Sequence, residues 1–294
     1  MCNNDALRAR SEFINKFAIE LMKKRQKRSA RAAKAGKGRD RQFMVALARG
    51  LEVLKSIGEN PGTLGNAEIA RLTSLSKATV SRLTYTLSAL GYIEYVDQLG
   101  RYRVAAGAVS LGYAALAGRV LTHIARPYMK ALADRTGLAV AVGARSDNSM
   151  VYLVNERSEN LVTLRLHPGS TIPIATTAMG HGYLASLRSE EREAMLERLK
   201  TAYPADWDTR IAPAIQKNME MYARSGMCVV TGLWHRYVNA VSVPFVPEDG
   251  SGTVVFSLGG IADYAPASAI SRELGQQLLE TVRLIKATIA GTRC

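Results

Sequence analysis

The side chains best equipped to recognise another molecule gather in one short run: Lys77, Thr79, Ser81, Arg82 and Tyr85. A guanidinium can hold a guanine edge through two hydrogen bonds, hydroxyls reach bases or phosphates, and an ammonium attracts phosphate. Between them stand Val80, Leu83, Leu87 and Leu90, at i, i+3, i+7 and i+10, the spacing of one buried helical stripe. The polar set is then the outer face of a helix over 77–91, capped by Ser76 and closed at Gly91, the residue suited to a left-handed exit. Such a face fits a major groove. The plainer alternative is the surface of an ordinary helical hairpin.

The flanking elements favour the groove. Asn66 reads as the cap of a preceding helix carrying Ile69, Ala70 and Leu72, with Leu75 filling the short turn between the two. After Gly91 come Tyr92–Val96, a turn at Asp97–Gly100 and then Arg101–Val104, a two-stranded ribbon. Helix, turn, helix and ribbon make a winged DNA reader, with Arg101 and Arg103 expected beside the DNA backbone. Gln42–Gly58 adds a first helix with Val45, Leu47, Ala48, Leu51, Leu54 and Ile57 spaced for burial. The segment 59–65 is a turn rich in Gly, Pro and Asn.

The 294 residues suffice for two domains, and 47% of them are hydrophobic, as in a globular protein. No apolar run approaches the roughly 18–20 residues of a membrane span. Only Cys228 lies away from the chain ends, Cys2 and Cys294 being terminal, so no disulfide framework is expected and the reading is cytoplasmic. The net charge is +14, and +9 of it falls on residues 1–41, whose thirteen Lys and Arg outweigh four acids. Within that arm, Phe13, Ile14, Phe17, Ala18 and Leu21 share one helical face, and a basic tract without an apolar stripe follows. The arm is either a second DNA contact or a solvated tail, with a membrane-surface helix a third option.

Catalysis finds no constellation. There is no phosphate-binding loop, no GxSxG, no HExxH and no CxxC. His123, His167, His181 and His235 are scattered, and Cys228 lies seven residues from His235 in no zinc-ligand pattern. No catalytic residue, metal or cofactor is expected.

From Ala105 to Gly137 the pattern is helical, with Gly118 and Pro127 as candidate breaks. Strands follow at 138–145, 150–157 and 161–169, then a helix from about Thr177 to Leu187. Helices near 190–200 and 211–225 precede strands 227–232, 239–246 and 252–261, with a hairpin turn at Glu248–Gly252. A closing helix runs over about 267–290. Helices on one antiparallel sheet is an α+β arrangement.

The strings FMVALARGLEVLKSI, AEIARLTSLSKATVSRLTYTLSALGYI and GRYRV resemble the N-terminal domain of the IclR family of bacterial transcription regulators. ALARGLEVL is similar to members that control aromatic-acid catabolism, in the protocatechuate and hydroxybenzoate group. The resemblance covers roughly 42–290. It implies a linker helix over 105–118, whose Ala114, Ala115 and Ala117 would let two copies approach closely or simply cover the next sheet. It also implies a GAF-like effector-binding fold beyond it.

In that fold the small-molecule pocket lies at the start of the helix after the third strand, which carries over to Ala178, Met179, Gly180 and His181. Ser242 and Ser257 would face it from two strands, unless they bond neighbouring backbone. Where the family has an acidic loop, this chain has Trp234, His235 and Arg236, fit to bind an anionic or aromatic ligand or to form an interface. A third outcome is a pocket that has lost its effector.

The expectation is thus a basic arm (1–41), a winged helix-turn-helix domain (42–104), a linker helix (105–118) and an effector-binding and oligomerisation domain (119–294). The implied function is a nucleoid-associated regulator binding palindrome-like double-stranded DNA as a homodimer or dimer of dimers, gated by a small organic acid. The alternative is an architectural DNA-binding protein whose second domain only dimerises.

Overall fold

Val53, Ile57, Ile69, Val80, Leu87 and Ile93 converge into one small core, and the elements that carry them form the N-terminal unit. The computed structural model describes residues 42–60, 62–117, 120–159, 166–247 and 252–291. The arm over 1–41, Gly118, residues 161–165 of the expected third strand and all but Gly252 of the hairpin turn lie outside these.

Helix α1 (Val45–Glu59) packs on α2 (Asn66–Thr73) and α3 (Lys77–Ala89). Strands β1 (Ile93–Val96) and β2 (Arg101–Val104) pair antiparallel as the wing, turning at Gly100 with φ +63°. The burial expected of α1 is corrected: Val45, Leu47 and Leu51 are exposed, because α2 and α3 cover only the Val53–Ile57 stripe. Leu90 of the α3 stripe is likewise 64% exposed, and Thr84 is buried instead, its hydroxyl satisfied by the Val80 carbonyl. Asn66 is not the cap of α2. Gly65 holds that position, and its amide donates to Glu68 Oε2 at 2.9 Å.

Helix α4 (Ala106–Ala117) starts hard against the reader, since a Cβ on Gly107 would lie 2.6 Å from the Gly91 carbonyl oxygen. It buries none of its residues. Helix α5 (Val120–Thr136) runs through Pro127 without the expected break. Ala125, Met129, Leu132 and Ala133 anchor it on the sheet and offset the roughly 3 kcal/mol that an interior proline costs.

The second unit is built on a six-stranded antiparallel sheet in the order β5-β4-β3-β8-β7-β6. Its strands are β3 (Ala139–Ser146), β4 (Ser149–Glu156), β5 (Thr171–Pro173), β6 (Cys228–Thr231), β7 (Val238–Phe245) and β8 (Val254–Ile261). Residues 166–170 carry no strand, and β5 falls in the stretch between the expected third strand and the helix that follows. Val140, Val142, Val241, Val243, Phe256 and Leu258 point to one face, under α5 and the closing helix α10 (Glu273–Gly291). That helix is preceded by a separate short turn, α9 (Ala267–Ile270).

Helices α6 (Ala178–Ser186), α7 (Ser189–Ala202) and α8 (Ala212–Ser225), with a π-helical turn at Trp207–Ile211, cover the opposite face. Helices on both faces follow from β8, which is buried from Val254 through Gly260 and so needs cover on each side. The architecture is α+β, a winged helix-turn-helix unit followed by an antiparallel sheet with flanking helices. No single helix among the described residues is long and apolar enough to cross a membrane.

Candidate nucleic-acid interface and ligand cavity

Helix α3 contains no acidic residue, and its outer arc carries Lys77, Ser81, Arg82 and Tyr85, with Tyr85 77% exposed. Ser76 caps it by accepting from the Thr79 amide at 3.2 Å. Thr79 stands at the border of the arc, its hydroxyl 2.9 Å from Ser76 Oγ, and Ser81 Oγ accepts from Asn66 Nδ2 at 3.3 Å. Lys77 and Arg82 have no ion pair among the described residues and leave their charge for an external anion. Arg71 at the end of α2 is a further exposed cation, which the apolar spacing of that helix does not single out.

The wing arginines are engaged internally, which spacing could not show. Arg101 Nη2 meets Glu68 Oε2 at 2.5 Å and the Thr63 carbonyl at 2.8 Å, so it ties the wing to α2. The Gly65 amide foremost, and then the Arg101 guanidinium, hold the Glu68 carboxyl below its ordinary range. Arg103 pairs with Glu94 directly across the ribbon. An exposed pair of this kind contributes little to stability and yields readily to a phosphate.

In the second unit, small residues on the α6 face of the sheet, Ala139, Ala141, Ala240 and Gly259, leave a cavity of about 40 Å³. Ala178, Met179, Trp234 and Ser257 line it as expected. So do Tyr152, Asn155, Thr176 and Thr177, which went unnoticed. For Tyr152 a signal existed: it alternates with Val151 and Leu153 onto the same face as Met150. Thr177 caps α6, accepting from the Gly180 amide at 3.1 Å and donating to the Pro173 carbonyl at 2.6 Å. The Thr177 carbonyl takes the His181 amide, so the Ala178 and Met179 amides have no helical acceptor. Asn155 Oδ1 is also buried without a partner.

Five expected pocket residues do not line the cavity. Gly180 is a packing glycine, since a Cβ there would lie 2.2 Å from the Ile174 carbonyl oxygen. Ser242 is buried and donates to the Ala178 carbonyl at 2.6 Å, the backbone role weighed against a ligand role. His181 is wholly buried between α6 and α8. Asn218 Nδ2 donates to its Nδ1 at 3.0 Å, which fixes the proton on Nε2, and that group donates to the Ala175 carbonyl at 2.9 Å. Burial pushes its pKa down to about 4, so the ring is neutral.

His235 and Arg236 lie exposed at the loop tip, His235 stacked on Tyr237 with ring centroids 5.6 Å apart. The cavity lining therefore contains no cation, and an anion in it would be met by backbone dipoles and by hydroxyls such as those of Tyr152, Thr176 and Ser257. Cys228 is buried, its thiol pushed up to about 12 by desolvation, and is chemically quiet. Among the described residues no cluster of three His, Cys, Asp or Glu side chains could hold a metal ion.

Comparison with known proteins agrees with both halves. Residues 46–97 match the IclR helix-turn-helix domain, and residues 113–287 match the bacterial transcriptional regulator IclR C-terminal domain. The chain is 32% identical over 250 residues to the HTH-type transcriptional regulator TsaQ1/TsaQ2 of Comamonas testosteroni, covering 84% of this chain and 89% of that protein. It is 28% identical over 227 residues to the Pca regulon regulatory protein of Pseudomonas putida, covering 74% of each. An IclR family transcriptional regulator from Brucella abortus superposes with a TM-score of 0.77 and 39% identity, over 86% of this chain and 96% of that one. These matches are to transcription regulators and not enzymes. With an exposed, acid-free recognition helix on one unit and a helix-capped cavity in the other, the chain belongs to the IclR family of DNA-binding bacterial transcriptional regulators.

Proposed function

We propose that this regulator binds palindrome-like operator DNA as a homo-oligomer and that a small organic acid in the second unit gates the binding. The observation that carries the reading is the start of α6. Ala178 and Met179, whose amides have no helical acceptor, line a cation-free cavity together with Tyr152, Trp234 and Ser257. A carboxylate suits the amides and a flat ring suits the apolar slot. The likeness of the first helix to regulators of aromatic-acid catabolism, with a Pca regulon regulatory protein among the relatives, directs the choice to aromatic acids.

In the reader, Lys77, Thr79, Ser81, Arg82 and Tyr85 are assigned to the groove and Arg103 to the backbone. Arg101 reaches DNA only by loosening from Glu68. Helix α4 supports pairing of two copies, because Val109, Leu111 and Tyr113 are all exposed on an apolar helix that buries nothing. Two copies would set their recognition helices about one DNA turn apart, or a multiple of it. Ligand binding would then shift a population between two spacings of the readers. The domain limits 42–104, 105–118 and 119–294, and a place at the bacterial nucleoid, belong to the same reading.

One observation favours the alternative of an architectural protein without an effector. The 40 Å³ cavity admits a few waters, far short of the ~300 Å³ at which ligand sites begin. A ligand of that size would have to displace lining side chains. Sequencing the genomic fragments retained by the full-length protein at near-physiological salt tests the DNA half. A thermal-shift screen of aromatic and aliphatic acids tests the other. A palindromic site together with stabilisation by one acid class supports the gated regulator. Diffuse, salt-sensitive retention with no stabilising acid overturns it in favour of the architectural reading.

A further inference from the structure

A bulge between β3 and β4 puts a polar group where simple alternation would not. Gly143 pairs with Tyr152 and Val142 with Val154, so Leu153 is the extra residue of β4. Leu153 and Val154 both pack toward α5, and Asn155 returns to the face that Tyr152 occupies. There Asn155 lines the cavity on one side of Ala141, its ladder partner, and Ser257 of β8 lines it on the other. Ladder partners share a face, so the two polar residues flank that alanine with about 10 Å, two strand spacings, between their backbones.

The two side chains differ in what they can offer. A serine hydroxyl donates or accepts, whereas Asn155 is already committed as a donor: its Nδ2 bonds the Leu166 carbonyl at 2.6 Å. A carbonyl can only accept, so this bond fixes the orientation of the amide. It leaves Oδ1 buried with no partner. Buried polar atoms are nearly always matched, and an orphaned acceptor on a residue that lines a cavity marks the place of an incoming donor. Bracing residue 166 against β4 accounts for Nδ2 and leaves Oδ1 unexplained.

We infer that Asn155 is a specificity-determining residue of the cavity, its Oδ1 accepting a hydrogen bond from a hydroxyl on the ligand. The inference deepens the effector reading proposed above and rests on it. The donor is a neutral one, because the lining holds no carboxylate and a charged ammonium would be buried there unpaired. The ligand class is thereby narrowed from aromatic acids to those that also carry a hydroxyl, with Ser257 placed to serve the acid group.

The test pairs each of the three hydroxybenzoates with the fluorobenzoate substituted at the same ring carbon, which is close in size and cannot donate. Calorimetry on the full-length protein gives the dissociation constant for both members of each pair. In at least one pair the hydroxy acid is expected to bind about tenfold tighter or more, the effect of matching one buried acceptor. Asn155→Leu, similar in size but without an acceptor, should bring that ratio to about one. Equal affinities within every pair, or tighter binding of the fluoro acids, overturn the proposal and leave the effector reading standing. This comparison uses the wild-type protein and decides the matter even where the variant fails to fold. A ratio that persists in Asn155→Leu while both acids weaken alike also overturns it, since Asn155 would then act only through residue 166. If none of the six acids binds, the aromatic-acid reading falls and the assignment of Asn155 falls with it.

Discussion

Helices α3 and α6 begin in the same way and end up with opposite chemistry. Each has a hydroxyl residue at the N-cap, Ser76 or Thr177, and each hydroxyl accepts from the amide three residues on, Thr79 or Gly180. Each N-terminus is a partial positive charge suited to an anion. The first lies on the surface beside Lys77 and Arg82, where a polyanion of any length can approach. The second is enclosed under the sheet, beside a cavity whose lining holds neutral polar groups and no cation. One local device thus stands in two settings, and burial separates them.

The comparison breaks most sharply at the residue whose amide bonds the cap. Gly180→Ala would drive a Cβ into the Ile174 backbone and should cost on the order of 3–5 kcal/mol, read as a loss of denaturation midpoint. Thr79→Ala, the same position in α3, keeps a Cβ that the half-buried site already holds and should stay within about 0.5 kcal/mol. Equal costs at the two sites would contradict the close packing described for α6.

Next in size is the pH dependence of the α6 strut. The folded His181 ring titrates near 4 against 6.5 for the free side chain, so the unfolded chain binds the proton first as pH falls. Its contribution is therefore full above pH 6.5, declines between 6.5 and 4, and amounts at most to roughly 3 kcal/mol. Urea titrations of wild type and His181→Gln across that window should diverge at neutral pH and converge in acid. Parallel curves would remove His181 as the source.

In the reader, Arg82→Ala should cost about 1–3 kcal/mol of DNA affinity and relax preference at one base position. Uniform weakening over all sequences would instead make Arg82 a phosphate contact. The smallest effect is expected at the wing: Arg103→Ala should change stability by less than about 1 kcal/mol while reducing the salt slope by about 1. An unaltered slope would leave Arg103 to its Glu94 partner alone.

The winged reader was legible because its signals are local. A cap, a heptad-like apolar stripe, a C-terminal glycine and a two-stranded ribbon each occupy a few neighbouring residues, and all four agree. The start of α6 was legible for the same reason, from Thr177 and the small residues after it. The cavity was only half legible, because Tyr152 and Asn155 reach it from a strand far from α6 in the chain. His181, Ser242 and Gly180 show the converse. Their types and neighbourhood fit ligand contact, yet Asn218, the Ala178 carbonyl and Ile174 had already claimed them, and such pairings appear only once the sheet is folded.

The same division runs through the whole molecule. The residue pattern by itself determined where the helices and most strands fall, that an acid-free polar face would be presented by α3, and that charge would concentrate in the first 41 residues. Periodicity and capping act within a turn or two of chain, so they can be read without knowing what packs where. Tertiary structure alone decided that both faces of the sheet are covered, that Arg101 braces the wing and that Leu47 and Leu51 stay exposed. Those outcomes depend on which distant surfaces meet, and an apolar stripe is buried only where another element arrives to cover it.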